Sequence, residues 1–71
     1  MLRDEIDETV QQSINQLPED LRRALPLREF DGLSYEDIAT VMQCPVGAVR
    51  SRIFRAREAV DKALRPLLQD A

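Results

Sequence analysis

Histidine and tryptophan are absent from this chain of 71 residues, cysteine and tyrosine occur once each, and glycine occurs only twice. Without histidine, and with Cys44 alone, most routes to a zinc or iron centre built by the chain are closed. A single cysteine also excludes an internal disulfide, which suits a reducing cytosol. No nucleophile stands beside a base, no glycine-rich loop is present to cradle phosphate, and no paired acids mark a cleft. An enzyme is therefore not expected, nor a cofactor or a small-molecule substrate. No apolar run approaches the roughly 18 residues of a membrane span, and no charged-then-apolar leader opens the chain. The expectation is a cytoplasmic protein, or a fragment of one, with no membrane insertion.

What is present favours helices. Seventy-one residues suffice for one domain, residues 1–71, whose core buries only roughly 60% of the unfolded surface. Strong helix formers throughout and no long β-branched runs point to an all-α fold. Ile6, Val10, Ile14 and Leu17 recur every three or four residues, predicting an amphipathic helix over about 3–16, with Asp4, Glu5, Asp7 and Glu8 complementing the dipole at its start. Pro18 followed by Glu19 and Asp20 predicts a second helix over about 18–31, with Pro18 in its first position, Leu21, Ala24, Leu25 and Phe30 as its apolar stripe, and Gly32 as its stop. Pro26 lies inside it, so a kink or local break is expected there. Ser34-Tyr35-Glu36-Asp37 reads as a capping box with Asp in the reciprocal position, opening a third helix over about 35–42. Gln43-Cys44-Pro45 ends that helix, and Pro45 opens a fourth over about 45–65.

The third and fourth helices thus flank a turn of about three residues, which predicts a helix-turn-helix closing a small four-helix bundle, like a winged helix without its wing. Ala39 is the small residue such a crossing needs. Ile38, Met42, Cys44, Val46, Val49 and Ile53 complete the predicted core of the crossing, and Cys44 is read as a small apolar filler. Gly47, in the first turn of the last helix, leaves the backbone amides approachable.

On a helical wheel with Val49 at zero, Ile53, Ala56, Val60, Ala63, Leu64 and Leu67 fall within about 60° and form the inward seam. Arg57, Arg50, Phe54, Ser51 and Arg55 fall at roughly 80° to 240° and face outward. Phe54 is on the wrong side for packing within a bundle. Charge follows the same division: residues 1–49 hold four basic and ten acidic side chains, net −6, whereas residues 50–65 hold six basic ones against Glu58 and Asp61, net +4. Local potential outweighs the whole-chain charge of −3 at distances within a Debye length. Taken alone, exposed arginines are as readily a solvated face, paired in part by Glu58 and Asp61, as a binding one. An aromatic among them suits the edges of bases: arginine donates to guanine or clamps phosphate, and a ring covers a thymine methyl.

The stretches Leu17-Pro-Glu-Asp-Leu-Arg-Arg, Leu27-Arg-Glu-Phe-Asp-Gly-Leu-Ser-Tyr-Glu-Asp-Ile-Ala and Cys44-Pro-Val-Gly-Ala-Val-Arg-Ser-Arg-Ile-Phe-Arg-Ala-Arg-Glu-Ala together resemble region 4 of extracytoplasmic-function sigma factors, in particular the envelope-stress members of the sigma-E and AlgU kind. The resemblance covers nearly the whole chain. It implies the domain of a bacterial RNA polymerase specificity subunit that recognises the promoter −35 element to direct transcription initiation; the −10 domain such factors carry upstream lies outside these residues. Carried over position by position, it implies DNA contacts from Arg50, Ser51, Phe54, Arg55 and Arg57, with Arg28 reaching in from the second helix. Arg52 is assigned to backbone phosphate or to a pair within its helix. Implied protein partners are the flap of the polymerase β subunit and a membrane-anchored anti-sigma factor. The alternatives are the helix-turn-helix output domain of a response regulator or transcriptional activator, and a module that docks an acidic protein through its arginines.

Overall fold

The computed structural model describes residues 2–69, so Met1, Asp70 and Ala71 of the expected 1–71 domain lie outside the described residues. Four helices follow one another: α1 (Leu2–Asn15), α2 (Glu19–Glu29), α3 (Tyr35–Met42) and α4 (Val46–Gln69), with no strand among the described residues. The last is 24 residues long, about 36 Å at 1.5 Å per residue, and it sets the longest dimension of the molecule, 39 Å. The other three helices are laid against it.

Two apolar clusters share α4. Ile14 and Leu17 from the α1 end, Leu21 and Leu25 from α2, and Ala56 form one, with Val10 and Val60 against it. Ala24, Ile38, Ala39, Val49 and Ile53 form the other, with Leu27, Leu33, Tyr35, Met42, Cys44 and Val46 around it. Small residues sit where backbones approach: Ala24 and Ala56 are completely buried, which lets α2 and α4 pack closely.

Both ends of α3 are set locally. The Ser34 hydroxyl accepts from the Asp37 amide at 3.1 Å, the predicted cap of α3. The reciprocal half of the expected capping box is not formed among the described residues; aspartate is one methylene shorter than the glutamate that usually reaches back. At the other end Gln43 adopts a left-handed conformation, φ 56° and ψ 52°. The Cys44 amide donates to the Ala39 carbonyl at 3.0 Å and the Gln43 amide to Thr40 at 3.3 Å, the paired bonds of a Schellman turn. Glycine is the usual residue here, because a Cβ in this conformation is penalised. Gln43→Gly is therefore expected to stabilise the chain by about 0.5–1 kcal/mol, and Gln43→Val to destabilise it, in thermal or urea unfolding. Equal melting temperatures for the two variants would refute this account of the turn.

Six boundaries differ from the sequence reading: α1 covers Leu2–Asn15 rather than 3–16, a shift of one residue at each end, and both ends of α2 and of α4 also move. Pro18 and Pro45 occupy capping positions immediately before α2 and α4 and are not the first helical residues; Pro18 has ψ 152°, outside the helical range. The second helix stops at Glu29, where Gly32, at φ +70°, allows the chain to turn back. Pro26 does not break it. One turn remains after Pro26, its carbonyl accepts from both Phe30 and Asp31, and Arg22, whose carbonyl loses a partner, is exposed to water. Beyond residue 65, α4 continues through Pro66 to Gln69, because Leu64 and Leu67 are still half covered while Leu68 faces solvent.

Candidate nucleic-acid interface

The crossing of α3 and α4 is closely packed. Ile38, Ala39, Val49 and Ile53 are buried, and Met42, Cys44 and Val46 are half-buried around them. Three residues, 43–45, join the two helices. With the inward side of α4 fixed in this way, the outward side is fixed too. Arg50, Ser51, Phe54, Arg55 and Arg57 are all exposed, Phe54 to 65%, and they span two turns of one helix. A Cβ added at Gly47 would meet nothing within 4 Å, so no neighbour in the chain requires glycine there.

The remaining arginines behave differently from one another, in ways set by partners distant in sequence. Arg52 points to the opposite side of α4, toward α2. Its Nε lies 3.4 Å from Asp20 Oδ2, and its NH1 donates to Cys44 Sγ at 3.3 Å. It is thus paired between helices rather than within α4, and it braces the turn against the start of α2. Arg28, half-buried at the end of α2, donates from NH1 to the Leu33 carbonyl at 2.9 Å and lies over the Tyr35 ring, 4.8 Å from its centroid. That bond ties the α2–α3 connection down. Arg57 is exposed but not unpartnered: its Nε donates to Glu29 Oε1 at 2.5 Å. Neither Glu58 nor Asp61, the acids nearest in sequence, takes this role.

The hydrogen bond to Glu29 raises the Arg57 pKa above the ordinary arginine range; slight burial opposes it, and the charges of Glu29 and Tyr35 add to it. A raised folded-state pKa contributes stability below the unfolded value and loses it only as pH climbs through the folded one, in strong base. Arg57 therefore carries its charge throughout the physiological range. Its pair with Glu29 is exposed on both sides, which keeps its contribution to stability small.

Arg57 and Glu29 also stand at the rim of a second feature, an apolar groove of about 210 Å³ where α1, α2 and α4 meet. Val10, Ile14, Leu25 and Val60 floor it and Phe30, 69% exposed, stands at its edge. Sequence reasoning assigned Phe30 to the apolar stripe of the second helix; because that helix ends at Glu29, the ring lies one residue past it and turns outward. Tyr35, placed near the capping turn by the sequence, carries a second guanidinium as well, Arg50 at 5.7 Å from its centroid. No helix among the described residues is long and apolar enough to cross a membrane, and no group of three or more acidic or cysteine side chains is arranged to hold a metal.

Residues 7–60 match the family described as Sigma-70, region 4. Among curated proteins, the chain is 82% identical over its full 71 residues to the RNA polymerase sigma-H factor of Pseudomonas aeruginosa. It is 61% identical over 69 residues, 97% of its length, to the ECF RNA polymerase sigma-E factors of Escherichia coli and Salmonella typhimurium. The chain spans 37% of the first of these relatives and 36% of the others.

Proposed function

Because this chain belongs to the Sigma-70 region 4 family, we propose that it is the promoter-contacting part of an extracytoplasmic-function sigma factor and that α4 reads the −35 element from the major groove. The supporting observation is the exposed face of Arg50, Ser51, Phe54, Arg55 and Arg57 on a helix whose other side is locked by the α3 crossing. An α-helix fits the major groove, where each base pair presents a distinct pattern of donors and acceptors. Family membership sets aside the response-regulator and activator reading. Arg28 and Arg52 act in this account as braces that hold the reading helix in place, and the phosphate role considered for Arg52 passes to the outward arginines.

The partners are promoter DNA and the RNA polymerase core, in the cytoplasm, with no catalytic step carried by this chain. The groove between α1, α2 and α4 is a seat of the right chemistry for an apolar helix such as one from the β-subunit flap. An anti-sigma factor that covered the groove and the α4 face together would block both engagements. Attachment to polymerase also answers the acidic charge of the rest of the chain: with residues 1–49 at net −6, the isolated domain is expected to bind the duplex it reads only weakly.

The test is selection from a randomised duplex library by the 71-residue chain, with and without the polymerase flap, followed by titration of matched and scrambled duplexes across a range of salt. The matched duplex is expected to bind more tightly, with affinity falling steeply as salt rises, since neutralising several phosphates releases counterions. Phe54→Ala is expected to weaken binding by about 1 kcal/mol, roughly fivefold, while unfolding free energy stays within about 0.5 kcal/mol of the parent, because the ring is solvent-exposed. A loss of several kcal/mol in stability would place Phe54 in the core and remove it from the reading face.

A further inference from the structure

Where α2 ends, α3 begins and α4 makes its first turns, one aromatic ring brings two of the arginines together. Tyr35 is the first residue of α3, held in place by the Ser34 cap beneath it and by packing against the cluster of Ala24, Ile38, Ala39, Val49 and Ile53. Arg28 of α2 lies over this ring at 4.8 Å and Arg50 of α4 at 5.7 Å, both within the range of cation–π attraction. We propose that Tyr35 is a positioning residue for DNA reading: its ring fixes where Arg50 presents its guanidinium, and Arg28 fixes the ring. The inference rests on the reading of the α4 face given above and adds to it a residue from another helix.

The physical argument concerns entropy. An exposed arginine samples many rotamers and loses much of that freedom when one contact immobilises it. A side chain already resting on a rigid ring loses less, and the difference appears as affinity. Arg28 contributes to that rigidity. Its other contact, to the Leu33 carbonyl at 2.9 Å, ties it to the connection that immediately precedes the Ser34 cap. The ring is therefore held by its own helix, by the core beneath it and by a strapped guanidinium. What remains adjustable is Arg50 alone, and the ring is its rest.

This arrangement separates the ring from the hydroxyl. If the ring acts through Arg50, phenylalanine serves as well as tyrosine and leucine does not, and removing Arg50 abolishes the effect of either. The experiment measures Kd on the duplex that the parent chain selects, together with melting temperature, for Tyr35→Phe, Tyr35→Leu, Arg50→Ala and the double variant Tyr35→Leu with Arg50→Ala. Tyr35→Phe is expected to stay within about twofold of the parent and Tyr35→Leu to weaken binding about three- to fivefold. The double variant is expected to bind no more weakly than Arg50→Ala alone, since neighbours that act as a unit are not additive. Leucine keeps an apolar side chain on the core, so binding is measured well below the melting temperature in every case.

Equal losses for Tyr35→Phe and Tyr35→Leu would overturn the proposal by assigning the effect to the hydroxyl. Additive losses in the double variant would overturn it by showing that the ring does not act through Arg50. A parent chain that selects a duplex, with Tyr35→Leu binding as well as the parent, would overturn the proposal alone; a parent chain that selects no duplex, with or without the flap, would overturn the reading of the α4 face and this inference with it.

Discussion

Ile53→Ala is expected to lower the unfolding free energy by about 2–5 kcal/mol, a large fraction of what holds a domain of this size together. The side chain is 2% exposed and lies in the cluster that joins α2, α3 and α4, against Ala24, Ile38, Ala39 and Val49. Two of these neighbours are alanines with nothing to extend into a void, and the third and fourth are β-branched and rigid, so the cavity persists. A domain of this size has a total stability of only about 4–10 kcal/mol by the usual scaling per residue. Chemical unfolding followed by circular dichroism measures the change. A loss below about 1 kcal/mol would mean that the site collapses and that the α3–α4 crossing is looser than the burial indicates. DNA binding by this variant should recover when the temperature is lowered, since no contact to the duplex has been removed.

Arg55→Ala is expected to behave in the opposite way, weakening binding to the matched duplex by about 1–3 kcal/mol while leaving unfolding within about 0.5 kcal/mol of the parent. The residue is exposed on the far side of α4 from the core seam. If it donates to a base edge, the loss is confined to one position of the site: competition with single-base variants should show tolerance at that pair and undiminished discrimination at its neighbours. Equal losses on matched and scrambled duplexes, with a shallower dependence on salt, would make it a phosphate clamp. No change on either duplex would leave Arg55 outside the interface and shift the reading surface toward Arg50 and Arg57.

Much of the architecture lay in short-range sequence signals. The third helix is found over the residues predicted, 35–42, because Ser34 caps one end and Gln43-Cys44-Pro45 cannot continue the other. The wheel placed Val49, Ile53 and Ala56 inward and Phe54 outward, and burial divides them in the same way, since helical periodicity leaves the side chains of a locked helix no choice. Prolines were less legible. Pro26 and Pro66 both lie inside helices, near enough to the end of each that few bonds are lost, and the packing of Leu25 and the half-covered Leu67 outweighs them. The left-handed Gln43 had no compositional signal at all, because glutamine is not a residue that marks such a turn.

The arginines show where reading along the chain stops. Their number, their clustering in residues 50–57 and their excess over local acids are properties of the sequence alone, and they sufficed to mark the last helix as the cationic one. Their division of labour was decided by the tertiary structure. A guanidinium on a long flexible stem takes whichever carboxylate, carbonyl or ring the fold brings within about 3–6 Å. Arg57 met Glu29, Arg52 met Asp20, and Arg28 and Arg50 met Tyr35, each across a gap of seven or more positions in the chain. The signals that start most helices act between neighbours within four residues, so the sequence determined where the segments coil, the prolines aside, and which side of each is oily. Only the packing of α1, α2 and α3 against α4 determined which charges meet partners within the molecule and which face solvent.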